Sequence, residues 1–299
     1  MLANPLVSIA IVTWNRREDV LKAIESCHNQ TYKNIEIVIV DNASGDGTHH
    51  ALLDKHPEIK VIMTHRNLGC VPARNIVMAN CTGDIVFCLD DDALMDENCI
   101  ERMVAGHQEN DNVAVVACNI MSPEEMGKQS NGGRKAAKKG NVPIFLGTGF
   151  GIRREVLKDV GYFPDYFRQG EENYLSLRLL DAGYRIFFDP TALVYHHWDY
   201  NEKGRNSRQI LYLNFRHELE NIKRLLPLRY AILISAYRVP VNLARRYLRS
   251  GYLHCFLWDL VRVLPVFFTN YREKKIDIRT YRLFTRAASK FFKNKELIG

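Results

Sequence analysis

The sequence predicts an α/β fold, with a mostly parallel central sheet flanked by helices and a basic helical extension at the C-terminal end. Over the first 120 residues, short runs rich in β-branched residues alternate with amphipathic helical patterns. That order is typical of right-handed βαβ units, whose strands are parallel. From about residue 206 onward the pattern changes to long, basic and aromatic helical segments, which predict the extension.

The predicted elements follow one another at short intervals. The predicted strands of the first half are 7–13, 35–40, 61–64, 84–89 and 113–118, and the clearest helical patterns are 18–29 and 97–107. The Gly/Lys/Ser-rich segment 123–141 predicts a surface loop. Beyond it, EENYLSLRLLDAGY predicts a helix, and RIFFD and ALVYHHW predict two further strands.

Charge is distributed unevenly along the 299 residues. Residues 203–299 contain 21 Lys and Arg against 6 Asp and Glu, a net charge of +15, whereas residues 1–202 contain 20 against 28, a net charge of −8. We therefore expect an acidic body and a basic tail to meet different partners.

The cysteines and the apolar runs bear on location. Seven cysteines occur without a CxxC pair, which favours reduced thiols in a cytoplasmic protein. No run of about 18 uncharged apolar residues is present, so we expect no transmembrane helix. The N-terminal segment alternates like a strand and is not interpreted as a signal peptide.

Polar segments follow four of the predicted strands: TWN, DNASGDGT, HRNLG and DDD. Ligands of such sheets bind beyond the carboxyl ends of the strands, so we expect these segments to line one crevice. The carboxylate in VDNASGDGT can accept hydrogen bonds from a ribose or a nucleobase. The same residues also suit a simple turn, and this loop alone does not decide between the two.

Three successive aspartates, Asp90, Asp91 and Asp92, end the fourth strand. Like charges packed together are unfavourable unless a positive charge lies beside them, and Mg²⁺ or Mn²⁺ prefers carboxylate oxygens. The alternative is an acidic helix N-terminus with Asp96 as the N-cap, but that role does not require three acids at 90–92.

Seven motifs in order resemble the family 2 glycosyltransferases of bacterial polysaccharide type, which are inverting enzymes with the GT-A fold. These motifs are VSIAIVTWNR, VDNASGDGT, RNLGCVPARN, FCLDDDA, GTGFGIRREVL, GEENYLSLRLLDAGYRI and VYHH. The resemblance covers roughly residues 6–198 and continues loosely through RQILYLNFRHELENIKRLLP. It implies a catalytic domain over 1–205, with a nucleotide-binding half at 1–120 and an acceptor half at 143–205, and a basic extension at 206–299.

The resemblance also implies roles for residues of the nucleotide-binding half. Thr13, Asn15 and Asp41 would hold the nucleotide, with Asp41 facing the base. Arg66 and Arg74 would border the ribose and the diphosphate.

The remaining implied roles concern the metal and the reaction. Asp90 and Asp92 match the family's DxD metal motif, and Asp91 would face the donor sugar or the ribose. His196 or His197 matches a family histidine that reaches the metal or the diphosphate, and we choose His196 because neighbouring strand residues point opposite ways.

The general base would belong to the acidic pair that opens the helix EENYLSLRLLDAGY. The choice between Glu171 and Glu172 stays open, although alignment on Leu175 and Arg178 favours Glu172. Many family members have a second aspartate where this chain has Tyr174.

The resemblance therefore predicts transfer of a sugar from a UDP- or dTDP-sugar, with Mn²⁺ or Mg²⁺, to a glycan or polyprenyl-linked acceptor in polysaccharide synthesis. Two alternatives were weighed. A sugar nucleotidyltransferase usually has a glycine-rich phosphate loop where this chain has TWNRRED, and a nucleic-acid-binding module does not explain the acidic loops. We thus expect no nucleic-acid partner.

Residues 237–299 mix Arg, Tyr, Trp and Leu at spacings that predict helices with one apolar and one cationic face. Such helices lie on anionic lipid, so we expect peripheral attachment to the inner face of the cytoplasmic membrane. The alternative is a helical subdomain packed on the body with its cations solvated.

Overall fold

The computed structural model describes residues 4–109, 112–122, 138–167, 169–196, 208–242, 247–248 and 251–294. Most of the predicted loop 123–141 lies outside these residues, and so does His197.

Nine strands form one sheet in the described part of the chain. They are β1 (Val7–Thr13), β2 (Ile35–Asp41), β3 (Lys60–Met63), β4 (Ile85–Asp90), β5 (Ala93–Met95), β6 (Val113–Met121), β7 (Gly140–Val142), β8 (Phe150–Arg153) and β9 (Arg185–His196). Their order across the sheet is β3-β2-β1-β4-β8-β6-β9-β5, and β7 pairs with β9. The five strands predicted for the first half are all present.

The two halves of the sheet differ in strand direction. β3, β2, β1 and β4 are mutually parallel, as βαβ connections require, and β6 is parallel to β9. β8 is antiparallel to both β4 and β6, and β5 and β7 are antiparallel to β9. The predicted parallel arrangement therefore describes the first half of the sheet, whereas the second half is mixed.

One predicted boundary is wrong: the segment RIFFD and the described part of ALVYHHW, as far as His196, belong to a single strand, β9. Pro190 lies between them and suggested a break, because proline cannot donate to a strand ladder. The pairing with β6 instead passes the proline through a register shift between Cys118 and Asn119. The strand thus continues as far as His196.

Helices cover both faces of the sheet. They are α1 (Arg17–His28), α2 (Thr48–Lys55), α3 (Cys70–Ala79), α4 (Cys99–Gln108), α5 (Val156–Val160), α6 (Glu171–Asp181), α7 (Arg208–Leu225), α8 (Leu228–Asn242), α9 (Leu253–Phe268) and α10 (Ile278–Asn294). The expectation that Asp96 is the N-cap of α4 is wrong. The helix begins later, and Asn98 occupies the N-cap position. The Asp96 carboxylate instead accepts the Asn98 N–H, 3.2 Å away.

Alternate strand residues supply two cores, one on each face of the sheet. Ile9 and Ile11 pack in the core formed with α1 and α4, whereas Ala10 belongs to the core on the opposite face. Phe215 of α7 and Phe256 of α9 lie in that second core. The extension therefore packs on the body, as one of the two alternatives predicted. None of the described helices is long and apolar enough to cross a membrane.

Candidate active site

The ends of β1, β2 and β4 meet at one edge of the sheet. In the parallel register Thr13 lies beside Asp41, and Val12 lies beside Asp90. The polar segments that follow these strands are consequently neighbours, as the sequence predicts.

The first two loops are tied together by short polar contacts. Asn15 has a positive φ of 53°, and its side-chain oxygen accepts the Gly45 N–H at 2.8 Å. Asp41 is fully buried, and its Oδ1 accepts the Ser44 N–H at 2.9 Å. Its Oδ2 has no hydrogen-bond partner among the described residues, and Nδ1 of His49 lies 3.8 Å away. A buried carboxylate oxygen is thus left to accept a hydrogen bond.

The third loop is shaped by Asn42, which sequence reasoning did not single out. Its side-chain amide donates to Gly69 O at 3.2 Å, and its oxygen accepts the Leu68 N–H at 2.9 Å. Arg66 is exposed on this loop. Asn42 directly follows Asp41, and a buried amide at a strand end is the signal that could have identified it.

His196 meets the aspartates because β5 pairs with the end of β9. Ala93 is opposite His196 in this antiparallel pairing. Nε2 of His196 lies 3.0 Å from Asp92 Oδ1 and 3.5 Å from Asp90 Oδ2. These three residues each offer a ligand atom, and the atoms all lie within 4.8 Å of one another.

The carboxylates and their cationic neighbours shift one another's pKa values. Burial opposes the charged imidazole, but the hydrogen bonds that the ring donates to Asp90 and Asp92 outweigh it and raise the pKa of His196 to about 9. Burial likewise acts to raise the pKa of Asp92, yet contacts with His196 and Arg16 leave it lowered. For Asp91 burial dominates and raises the pKa to about 7.

Arg16 is a site residue that the sequence analysis missed. Its guanidinium pairs with Asp92 and lies 3.4 Å from Asp91 Oδ1. Arg16 follows the first strand, which neighbours the strand that ends in the aspartates. A cation after one strand and an acidic run after the adjacent strand are the signal that could have identified the pair.

Arg74 connects the aspartates to the acidic pair of α6. The side chain is buried within α3, with NH2 3.0 Å from Asp90 Oδ1 and NH1 3.3 Å from Glu171 Oε1. Burial disfavours its charge, but Cys70, Asp90 and Glu171 outweigh that effect and raise its pKa. The guanidinium thus holds Asp90 and Glu171, the first residue of α6, in one charged network.

Glu172 lies close to this network, against the loop before β8. A Cβ placed on Gly147 would meet Glu172 Oε1 at 2.9 Å, so this glycine leaves room for the carboxylate. Thr148 Oγ1, the next residue, accepts the Asp90 N–H at 3.0 Å. Burial, together with the charge of Glu171, raises the pKa of Glu172 to about 8.

The donor set of Asp90, Asp92 and His196 fits a divalent ion. Two carboxylates and one imidazole suit Mn²⁺, and the carboxylates alone suit Mg²⁺. Asp90 ends β4, Asp92 lies in the turn between β4 and β5, and His196 ends β9, which pairs with β5. The cluster can therefore bind a divalent cation. Without one, the two carboxylates pair with the protonated ring of His196.

A cavity of about 940 Å³ lies between the segment before α6 and the extension. Phe167 lines this cavity and would also meet a Cβ on Gly69, the residue that precedes α3. Tyr166 and Tyr271 contribute aromatic walls, and the guanidinium of Arg224 lies 5.5 Å and 4.2 Å from the centres of their rings. The cavity is thus lined by the segment before α6 and by the extension, and Phe167 is its contact with the residue that precedes α3.

The chain matches the model of Glycosyl transferase family 2 over residues 8–161, and that of Glycosyl transferase family group 2 over residues 85–272. It is 27% identical over 212 residues to the glycosyltransferase AglE of Haloferax volcanii. This alignment covers 64% of the present chain and 67% of AglE. It spans only 30% to 41% of the length of seven further curated relatives.

Solved glycosyltransferases share the fold at low sequence identity. The mannosyltransferase PcManGT from Pyrobaculum calidifontis, solved with GDP-Man and Mn²⁺, is similar with a TM-score of 0.58 and 20% identity, over 96% of this chain and 81% of that one. S. aureus TarS 1–349, solved with UDP-GlcNAc, is similar with a TM-score of 0.62 and 16% identity, over 97% of this chain and 89% of that one. Each is a GT-A fold enzyme, and the likeness extends over nearly the whole chain.

Proposed function

The chain belongs to glycosyl transferase family 2 and has the GT-A fold, and from that premise we propose a metal-dependent inverting transfer of a sugar from a nucleoside diphosphate to an acceptor hydroxyl. One observation carries the proposal. Asp90, Asp92 and His196 converge within 4.8 Å, and Arg74 joins this cluster to the acidic pair that opens α6. The proposed site for the diphosphate and the proposed base would therefore be adjacent.

The first two loops would bind the nucleotide. The unpartnered Oδ2 of Asp41 can accept the N–H of a base such as uracil or thymine, which supports a UDP- or dTDP-sugar as donor. Thr13 and Asn15 would border the same nucleotide, and the exposed Arg66 would approach the diphosphate. Solved relatives were crystallised with GDP-Man and with UDP-GlcNAc, so the base is a matter for experiment.

Asp90, Asp92 and His196 would hold Mn²⁺ or Mg²⁺. A divalent ion bound there supplies charge neutralisation for the departing diphosphate. Arg16 would remain paired with the aspartates or turn toward the phosphates, and Asp91 would face the donor sugar or the ribose. The bound Mn²⁺ of PcManGT supports this assignment.

Glu172 would act as the general base. Its carboxylate faces the Gly147 loop, whereas Glu171 is held in an ion pair with the buried Arg74. A carboxylate with a raised pKa is suited to accept a proton near neutral pH. If Glu172 takes the proton of the acceptor hydroxyl, direct attack on the anomeric carbon inverts its configuration without a covalent enzyme intermediate.

The acceptor would be a glycan or a polyprenyl-linked saccharide of cell-surface polysaccharide synthesis, bound in the cavity beside α6. Its aromatic walls and paired charges suit a sugar, since sugar rings stack on aromatic faces and hydroxyls bond to charged groups. The proposed domain limits are a nucleotide-binding half at 1–120, an acceptor half at 143–205 and the extension at 206–299, and the cavity is lined by residues of the last two.

A nucleotide screen tests the proposal. Thermal unfolding would be followed with UDP-, dTDP- and GDP-sugars, each with and without Mn²⁺. We expect stabilisation by one base, enhanced by Mn²⁺, and release of the nucleoside diphosphate from the sugar that stabilises most. If no nucleotide stabilises the protein and none is cleaved, the proposed function is wrong.

Asp92→Asn sharpens the screen, with Asp96→Asn as its control. We expect Asp92→Asn to weaken Mn²⁺ binding at least tenfold, or about 1.4 kcal/mol, because it removes a charged ligand. Asp96→Asn changes an acid that bonds to Asn98 and should bind Mn²⁺ as the unmodified protein does. Equal Mn²⁺ affinities in the two variants, measured by calorimetry, would place the metal elsewhere.

The extension would also attach the enzyme to anionic lipid at the inner face of the cytoplasmic membrane. Leu233 of α8 and Leu257, Trp258 and Phe268 of α9 are 61% to 86% exposed, in a region whose net charge is +15. An exposed apolar face with surrounding cations is typical of helices that lie on anionic membranes.

Sedimentation with vesicles of phosphatidylglycerol and phosphatidylcholine tests this attachment. We expect the full chain to bind, and Leu257→Ser combined with Trp258→Ser to weaken binding at least tenfold. Leu53→Ser, which changes an exposed leucine of the body, is the control. No binding by the full chain, or equal binding by both variants, would refute attachment through this face.

A further inference from the structure

The turn that begins α6 is held by the extension. Gln169 and Gly170, the two residues before the acidic pair, both have left-handed backbone, with φ of 68° and 88°. A non-glycine residue in this conformation persists only where surrounding contacts impose it. The contacts in question come from α7.

Two side chains of α7 bond to the carbonyls of this turn. Nδ1 of His217 lies 2.7 Å from Gln169 O, and Nδ2 of Asn221 donates to Gly170 O at 2.9 Å. Both side chains are buried, with 4% and 7% of the residue exposed. Because a carbonyl only accepts, His217 must carry its proton on Nδ1, and the orientation of the Asn221 amide is fixed.

Tyr166 braces both of these side chains. Its hydroxyl donates to Asn221 Oδ1 at 2.7 Å, and its ring stacks on His217 with centroids 4.1 Å apart and planes at 4°. A Cβ on Gly170 would lie 3.0 Å from His217 Cβ, so the helix and the turn are already in close contact. Asn221 thus uses its amide nitrogen for the turn and its oxygen for the tyrosine.

The extension also holds the other end of α6. Oδ1 of Asp181, the last residue of the helix, accepts the Asp277 N–H at 2.8 Å. The helix that carries the acidic pair is therefore fixed at both ends by residues beyond 205. A displacement of about 1 Å at a reacting group can cost roughly 100-fold in rate, so such fixation matters for catalysis.

We propose that His217 and Asn221 are positioning residues of the transfer reaction: by bonding to the carbonyls of Gln169 and Gly170 they set the place of the Glu172 carboxylate. This inference rests on the proposed function. Its consequence is that the extension is an integral part of the active site, whether or not it also meets a membrane.

Asn221→Asp removes the amide donor to Gly170 O and keeps an acceptor for Tyr166. We expect kcat for cleavage of the nucleotide-sugar that stabilises the protein most to fall about 10- to 100-fold, as for other groups that orient a reacting residue. The Kd of that donor should stay within about twofold, because the nucleotide loops are untouched. A loss confined to kcat separates positioning from general destabilisation.

A histidine series provides rescue. His217→Asn keeps an N–H donor near the position of Nδ1 and should retain most of kcat, whereas His217→Leu removes the donor and should lose it. Lys223→Met is the control on the same helix, since it removes a 2.9 Å bond from α7 to Phe267 O without touching the turn. We expect its kcat to match that of the unmodified protein.

Amide hydrogen exchange over residues 169–178 gives a readout that does not depend on activity. We expect faster exchange there in Asn221→Asp and His217→Leu than in Lys223→Met, at temperatures where all remain folded. If kcat and exchange in these variants equal those of Lys223→Met, the positioning role is refuted. If the unmodified protein cleaves no nucleotide-sugar, the proposed function fails. Even then, unchanged exchange in the variants would refute the proposal that His217 and Asn221 hold the turn before α6.

Discussion

At the scale of single residues, the carboxylates of the site are paired with cationic side chains. Arg16 pairs with Asp92, and Arg74 pairs with Asp90. His196 contacts both aspartates, and its raised pKa favours the protonated ring. A bound divalent ion would take over the role of that proton, so we expect metal binding to release protons at neutral pH.

The acidic pair of α6 gives the sharpest test at this scale. Glu172→Gln should lower kcat by roughly 10²- to 10⁴-fold, the usual contribution of a general base, with donor affinity unchanged. Because burial raises the pKa of Glu172 to about 8, the base is protonated below that pH. We therefore expect kcat to rise with pH until about 8, and the rise to be absent in the variant.

Glu171→Gln is the matched comparison. It removes an ion-pair partner of the buried Arg74, so we expect lower stability as well as lower activity. The pH dependence of kcat should persist in this variant, since Glu172 remains. If instead Glu171→Gln abolishes the rise and Glu172→Gln preserves it, the two glutamates exchange roles.

At the scale of elements, strand ends were easier to predict than strand directions. The runs at 7–13, 35–40 and 84–89 are mostly apolar, because both faces of the central sheet are covered, and polar residues mark where each ends. The antiparallel direction of β8 leaves no such signal in the sequence, because it depends on where the chain re-enters the sheet and which strands it pairs with. Arg16 and Asn42 were missed for the same reason: their roles follow from adjacency across the sheet.

Gly69 shows how one element positions another. It precedes α3 with φ of 91° and ψ of 165°, and a Cβ there would lie 2.5 Å from Phe167 O. Gly161 has nearly the same backbone, φ of 76° and ψ of −178°, but nothing lies within 4 Å of its Cβ position. The two glycines therefore share a backbone requirement and differ in the space around them.

Alanine substitutions at Gly69 and Gly161 separate the free-energy cost of backbone strain from the cost of a steric clash. We expect Gly161→Ala to lower the free energy of unfolding by about 1–3 kcal/mol through backbone strain alone. Gly69→Ala should lose about a further 1–3 kcal/mol, because the methyl group must displace Phe167. Urea unfolding measures both, and equal losses would mean that the contact between Phe167 and the start of α3 is loose.

At the scale of the whole molecule, the body and the extension form one packed unit on one face of the sheet. Aromatic residues of α7 and α9 share a core with residues of β1 and β2. The charge asymmetry suggested two separate parts, but buried apolar area, which charge counts do not reveal, joins them. A buried histidine, His217, lies at their junction.

His217 supplies the last prediction. Burial, with the nearby Arg216 and Arg224, lowers its pKa to about 4 although the bond to Gln169 O opposes the shift. An unfolded histidine titrates near 6.5, so the unfolded chain binds the extra proton between these two values. The contribution of the neutral His217 ring to stability is therefore fully present above about pH 6.5 and is lost as the pH falls toward 4, by at most roughly 3 kcal/mol.

We expect the free energy of unfolding, measured in urea at pH 4.5 and pH 7, to differ less in His217→Asn than in the unmodified protein. An equal difference in both would mean that the ring is protonated in the folded state and that the junction does not sense pH through this residue.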